Sequence, residues 1–436
     1  MRNLSFKTKK HLAKYGVDII IKAKGENAMK KTIMQKYARL IARKGVNVQK
    51  GQEVMVLASL DQPEFVKMVV EECYRAGAGK VIVEWDYQPL TKINYRYRSL
   101  KTLSTIEKWE VERLEHRLKT LPAMIYIESD DPDGLKGINQ EKMAKSQQAR
   151  YPIVKPYRDK MDNKYQWCIA AAPGEAWAKK VFPSLKKNQA VEKLWEAILY
   201  TSRADGEDPI KAWDDHNADI HARCKFLNDL GIAELHYKSS NGTDFKVGLI
   251  EDGLFCGGAE DTLGGVTYNP NIPSEEVFTS PMKGKAEGKV VSTRPLSYRG
   301  EVIENFWIRF ENGKAVEVYA EKNEELLKSM ISMDETAGYL GEVALVPYDS
   351  PIRNSEITFF NTLFDENACC HLALGAGFNN CLKDYDKYTL EECIEKGVND
   401  SMIHVDFMIG SEDLSIDAIT RDGKTVAIFR DGNWAF

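Results

Sequence analysis

Four short apolar runs, set apart by segments of helical period, constrain the fold of this chain more than any other feature. They are Glu53-Val54-Met55-Val56-Leu57-Ala58, Lys80-Val81-Ile82-Val83-Glu84-Trp85, Ala123-Met124-Ile125-Tyr126-Ile127 and Trp167-Cys168-Ile169-Ala170-Ala171. The first suits a buried strand, and the others read as further strands. Residues 61–76 place Phe65, Met68, Val69 and Cys73 at helical spacing, with Asp61 at the N-cap position, Pro63 in the first turn, and Gly77 and Gly79 past the end. A helix over 34–44 precedes the series, a long charged helix spans roughly 104–119, and a helix over 189–203 closes it. Strand and helix in alternation predict an α/β unit with an open, largely parallel sheet. Gly77-Ala78-Gly79-Lys80 is no phosphate loop, because it ends a helix before a strand and lacks the Ser or Thr after Lys.

The pattern changes near residue 205. Residues 204–209 are polar and contain Gly206 and Pro209, a boundary signal. One more helix is expected over 210–230. Beyond 235 come short alternating segments broken by Gly, Asn and Pro. Phe306–Phe310 and Ala315–Tyr319 flank Asn312-Gly313, a hairpin signal, and a helix is expected over 323–333. The second half therefore reads as β-rich α+β. We expect a basic, mobile extension over 1–33, an α/β N-terminal domain over 34–208 and a C-terminal domain over 209–436. In the extension, Arg2, Lys7, Lys9, Lys10, Lys14, Lys22, Lys24, Lys30 and Lys31 face only Asp18 and Glu26. Its apolar stretch Val17–Ile21 is too short for a signal-peptide core, and no small-residue cleavage site follows.

The formal net charge of −5 over 436 residues offers no single-sign field for nucleic acid or a membrane surface. No run of ~18 apolar residues is present to span a bilayer. The eight cysteines form no C-x-x-C and read as reduced thiols of a cytoplasmic protein. Histidine is scarce, at seven residues, so any metal site has to be rich in carboxylates.

Four segments carry the chemistry. In Met402–Ile409, a strand puts His404 and Asp406 on one face, with Ile403, Val405, Phe407 and Ile409 on the other. His371 lies in a run of small residues after Asp365, Glu366 and Asn367. Glu342 opens the apolar run Val343–Val346. Glu275 and Glu276 follow Asn271-Ile272-Pro273-Ser274. Singly, these fit a hydrogen-bonded His–Asp pair, a satisfied core histidine, an edge charge and the start of a helical turn. His216 and His221, ~500° apart around a helix, read as a solvated helix surface. Together the four segments supply two His, one Asp and at least two Glu, the mixture that a two-metal hydrolytic site requires.

These segments resemble the aminopeptidase T / aminopeptidase S family of dinuclear metalloaminopeptidases. The likeness runs through Asn271–Thr279, Leu340–Pro347, Asn361–Ala368, His371–Gly375 and Ser401–Gly410, in order and in register, and extends in weaker form from about 35 to 436. It implies metal ligands at Glu276, Glu342, His371, His404 and Asp406, with Glu276 favoured over Glu275 by position. It implies Glu366 as the catalytic acid/base. It also implies a metal-bearing C-terminal metallopeptidase domain, a homodimer enclosing the sites, and two divalent ions per chain. Zinc or cobalt come first, with manganese or magnesium as alternatives. The implied activity is release of N-terminal amino acids from peptides with a free N-terminus, with a metal-bridging hydroxide as nucleophile.

The chain departs from that pattern in three places. Residues 1–33 fall outside it. Arg353 follows Pro351-Ile352 where a small polar residue is expected. Phe378 stands seven residues after His371, where the family is expected to have a catalytic Tyr. A phenyl ring cannot donate to an oxyanion, a loss of ~3–4 kcal/mol of transition-state stabilisation. Tyr385 and Tyr388 are the nearby candidates to replace the hydroxyl. The departure at Phe378 keeps two alternatives open: a two-metal hydrolase of another amide or ester, and a catalytically silent metal-binding protein.

Overall fold

The computed structural model describes residues 31–436. The expected basic extension lies outside the described residues except for 31–33, which are already helical. Residues 31–40 are helical and run into a wider turn, Ile41–Gly45. Gly45 lets this turn close on the sheet behind it, since a Cβ there would meet Cys168 Sγ at 2.7 Å.

The four apolar runs become β1 (Glu53–Ser59), β2 (Lys80–Asp86), β3 (Ala123–Glu128) and β4 (Trp167–Ala171). They form one sheet in the order β2-β1-β3-β4, parallel throughout. Helix Pro63–Ala76 buries Phe65, Val66, Val69 and Cys73 and ends at Gly77, whose φ of 119° takes the left-handed conformation. Asp61 does not cap it. Gln62 holds the N-cap position without a side-chain bond, and Asp61 instead accepts from Ser129 Oγ at 3.1 Å. The long charged helix is Lys108–Thr120, which starts four residues later than expected, and a separate short helix, Leu100–Ser104, precedes it. Thr105 is extended between them, and Glu110 accepts from the Glu107 N–H at 2.9 Å to start the second. Helix Gln140–Met161 contains Pro152 and Pro156, which read as breakers in sequence.

The second half is strand-rich. A large antiparallel sheet runs in the order Leu296–Tyr298, Glu301–Glu311, Pro281–Val291, Asp244–Leu249, Ile232–Lys238, Ser415–Thr420, Thr425–Arg430, Asn433–Trp434, with Lys314–Lys322 also paired to Glu301–Glu311. The expected hairpin is present and longer than the sequence pattern. Glu311 pairs with Lys314, and Asn312 and Gly313 both have positive φ, a two-residue turn whose twist matches the strands. A smaller antiparallel sheet holds β5 (Val277–Thr279), β6 (Leu340–Leu345), β7 (His371–Gly375) and β8 (His404–Met408), in the order β8-β7-β6-β5.

Two large hydrophobic cores result among the described residues, and the second half of the chain contributes to both. Ile272, Ile352, Phe359, Leu363, Phe364 and Ala368 pack in the core around β1–β4. Helix Pro209–Leu230 buries Trp213 there and Ile220, Cys224 and Leu227 in the second core. Backbone bonds join β4 to the segment before Glu275: Ile169 N–H donates to Pro270 O at 2.8 Å, and Ile272 N–H to Ile169 O at 3.0 Å.

Candidate metal centre

The small sheet has two unlike faces. Val343, Leu345, Leu372, Leu374, Val405 and Phe407 point into the second core. Side chains alternate along a strand, so Glu342, His371, His404 and Asp406 share the opposite face. The register places Glu342 beside Ala373 and Ala373 beside Asp406, while His371 lies beside Ala344 and His404 beside Gly375. Small residues between the donors leave room for them to converge. Gly375 is required on backbone grounds as well: its φ is +104°, and a Cβ would fall 2.1 Å from Ile403 O. Glu276 enters from the residue before β5.

The donors form two overlapping triads, Glu276–Glu342–His371 and Glu342–His404–Asp406, each with one ligand atom per residue and those atoms within 4.8 Å of one another. Glu342 belongs to both. His371 Nε2 lies 3.3 Å from Glu276 Oε2, and His404 Nε2 lies 3.1 Å from Glu342 Oε2 and 3.3 Å from Asp406 Oδ1. The far ring nitrogens are anchored on backbone: His404 Nδ1–H donates to Ala376 O at 2.7 Å and His371 Nδ1–H to Cys369 O at 3.3 Å. Such anchoring fixes the tautomer that turns Nε2 toward a metal.

Electrostatics favour cations here. Among the described residues, the cationic partners of Glu276, Glu342 and Asp406 are these two imidazoles. Burial, with Asp406 nearby, pushes Glu342 up to about 7. Burial acts upward on Asp406 too, but the charge of His404 holds it down at about 2. Burial acts downward on His371, yet Glu276, Glu342 and Asp406 raise it to about 9; His404 is raised well above its ordinary value against the same opposition. Asp406 Oδ1 is buried without a hydrogen bond. A buried carboxylate oxygen met only by an imidazole at 3.3 Å, a shared Glu and two inward Nε2 atoms fit a pair of divalent cations.

Glu366 sits on the turn Glu366–Ala368, outside both triads. Burial, then the charges of Asp406, Glu276 and Glu342, raise it well above the usual carboxylate range. Asn367 Nδ2 donates to its Oε1 at 3.4 Å. All six residues singled out in sequence therefore gather at one place. The geometry also separates Glu275 from Glu276. Arg203 takes both Glu275 oxygens in a fork, with Nη2 to Oε2 at 2.9 Å, which leaves Glu276 to face His371.

His221 is exposed, as expected of a helix surface. His216 is not: its side chain is 11% exposed, and its Nε2–H donates to Ser274 O at 2.7 Å. The turn carrying Ser274 covers that part of the helix. The Phe378 ring lies 4.8 Å from the His404 ring and 5.3 Å from Phe278, so the position borders the centre and offers no hydroxyl. Tyr385 and Tyr388 pack in a separate cluster with Ile250, Leu382, Cys393 and Val398. The Arg353 guanidinium stacks 4.6 Å over Tyr348. Glu260 escaped the sequence reading. It is raised to about 7 by burial and by Glu276 and Glu342, and it accepts from Asn380 Nδ2 at 3.3 Å. Its Gly257-Gly258-Ala259 context has no periodicity to betray a buried acid.

Comparison with known proteins identifies the family. Residues 30–434 match the family described as thermophilic metalloprotease (M29). Aminopeptidase AmpS of Bacillus subtilis (strain 168) is 42% identical over 401 residues, which cover 92% of this chain and 98% of that protein. Aminopeptidase T of Thermus thermophilus is 40% identical over 402 residues, with the same shares. The solved structure of wild-type AmpT from Thermus thermophilus matches with a TM-score of 0.83 at 38% identity, covering 93% of this chain and 100% of that one.

Proposed function

The chain belongs to the thermophilic metalloprotease (M29) family, and on that premise we propose that it is a two-metal exo-aminopeptidase releasing N-terminal amino acids from peptides. The observation that carries the proposal is Glu342, common to two donor triads beside Glu366. Glu276, Glu342 and His371 would hold one ion, and Glu342, His404 and Asp406 the other. The mixed imidazole and carboxylate set suits zinc or cobalt before magnesium or manganese. When bound, two such ions lower the pKa of water and polarise the scissile carbonyl.

The protein's own groups do the rest. The Nδ1 anchors hold both imidazoles in register. Glu366 takes a proton from the attacking water and delivers it to the leaving amide nitrogen, so the carboxyl ends as it began. Burial favours the protonated form that must persist between the two transfers.

We assign the metallopeptidase unit to residues 209–436, backed by the α/β unit 34–208, with residues 1–33 as an extension. Helix Gln88–Tyr97 has no buried residue, and Trp85, Leu90, Tyr97 and Trp109 are exposed near it in sequence. That apolar surface supports a homodimer. Eight free thiols support a cytoplasmic location. Among the described residues, no helix is long and apolar enough to cross a membrane.

The test is a panel of unblocked and N-acylated dipeptides with zinc- or cobalt-loaded enzyme. Release of the first residue from unblocked peptides alone is expected. Turnover of blocked substrates alone would transfer the site to another amide or ester hydrolysis. No turnover with both ions bound would make the protein a silent metal binder.

A further inference from the structure

We propose that Arg203 and Asn367 are positioning residues that act through Glu275 to hold the ligand Glu276 in register with the acid/base Glu366. The inference rests on the two-metal reading above and assigns a role in catalysis to the N-terminal half of the chain.

Glu276 and Glu366 sit on separate pieces of chain, one entering β5 and the other on a short turn before β7. Glu275 links them. Its N–H donates to Asn367 Oδ1 at 2.6 Å, and Asn367, fully buried, donates through Nδ2 to Leu363 O at 3.0 Å and to Glu366 Oε1 at 3.4 Å. One amide side chain thus touches the acid/base and the residue next to the ligand. The Glu275 carboxylate points the other way, into the Arg203 fork. Arg203 follows helix Lys187–Thr201, which packs in the core around β1–β4. His216 pins the same segment through Ser274 O.

The turn bearing Glu366 is tied to that half of the chain as well. Trp177 Nε1–H donates to Phe359 O at 2.6 Å, and Asn361 Nδ2 donates to Glu128 Oε2 at 2.7 Å. Both catalytic elements are therefore fastened to one scaffold and to each other. A buried ion pair is a poor source of net stability, because desolving two charges offsets their attraction. Glu275 is only 7% exposed. What the Arg203 fork does supply is geometry, since a planar guanidinium on a carboxylate fixes orientation as well as distance.

The experiment compares Arg203→Lys, Arg203→Met and Asn367→Leu with the wild type. It measures zinc affinity by competition with a chelator, kcat and KM separately on an unblocked dipeptide, and Tm. Loss of an outer support of a metal site lowers affinity or activity about 10- to 100-fold. Asn367→Leu is expected to lower kcat by about that factor, with KM within about threefold and two zinc ions retained. Arg203→Met is expected to weaken zinc binding by about the same factor, and Arg203→Lys to regain Tm without regaining that affinity. Folded variants with lowered Tm but with kcat and zinc affinity within about twofold of wild type would overturn the proposal, as would full recovery in Arg203→Lys. A wild type with no turnover defeats the aminopeptidase reading alone, because the zinc-affinity arm still decides for or against the clamp.

Discussion

Removing the metal should give the donor cluster a pH dependence of known sign. In the metal-free site burial opposes protonation of His371, but Glu276, Glu342 and Asp406 raise it to about 9 from an ordinary 6.5. A raised histidine contributes stability below its unfolded value and loses it as pH climbs through the folded value. Glu342, raised by burial to about 7 from 4.5, acts in the same direction: its contribution is complete below 4.5 and gone above 7. Asp406 acts oppositely, since His404 holds it at about 2 against burial; its contribution is present above 3.8 and lost only as pH falls through 2. The metal-free protein should therefore lose stability between pH 4.5 and 9, while the loaded protein, whose imidazoles are neutral, should not. Metal binding must expel the same protons. At pH 7 His371 is therefore mainly protonated, and expelling its proton opposes loading by an amount that fades toward about pH 9. His404 is shifted in the same direction. Near pH 7, loading both ions should release the two imidazole protons and part of one more from Glu342, and the apparent loading constant should rise at least about a hundredfold per pH unit. Chelator competition at several pH values, with an indicator dye in weak buffer, measures both. A flat constant with no proton release would show the imidazoles already neutral and refute the ion-pair account of the empty cluster.

Glu366→Gln should lower kcat about 10²- to 10⁴-fold, the usual share of general acid–base catalysis, while elemental analysis still finds two ions. Loss of an ion would make Glu366 a ligand instead. Because Glu342 is common to both triads, Glu342→Gln should strip both ions, whereas Glu276→Gln and His404→Ala should each leave about one per chain. Equal stoichiometry in all three variants would argue against a shared carboxylate. Phe378→Tyr puts a phenol beside the His404 ring and should raise kcat with metal content unchanged, by up to about 10²-fold if the hydroxyl meets the oxyanion. An unchanged kcat would show that another group already serves there.

Much of the architecture was legible because it is written in short-range periodicity. The runs that became β1, β3 and β4 are apolar at the positions they bury, β2 at the sheet edge buries none, and helical spacing between the runs leaves a parallel sheet as the economical arrangement. His404 and Asp406 share a face because a strand alternates, whatever it pairs with. The break at Thr105 and the proline-bearing helix Gln140–Met161 were not legible, since each depends on packing that overrides local preference. Asp61 has the right residue type for a cap, but Ser129 sits within its reach.

The sequence by itself determined which residue types were available for the chemistry: few histidines, several acids in apolar strands, and motifs whose order and register resemble one family. Only the tertiary structure decided how they meet. It gave Glu275 to Arg203 and left Glu276 for His371, half-buried His216 against Ser274, and brought Glu260 beside the centre. It also made Glu342 the member common to both triads. The physical reason is range. Periodicity acts over a few residues and fixes which face a side chain takes. Strand pairing and core packing act across the whole chain, and they fix which charges are left without water and must find each other.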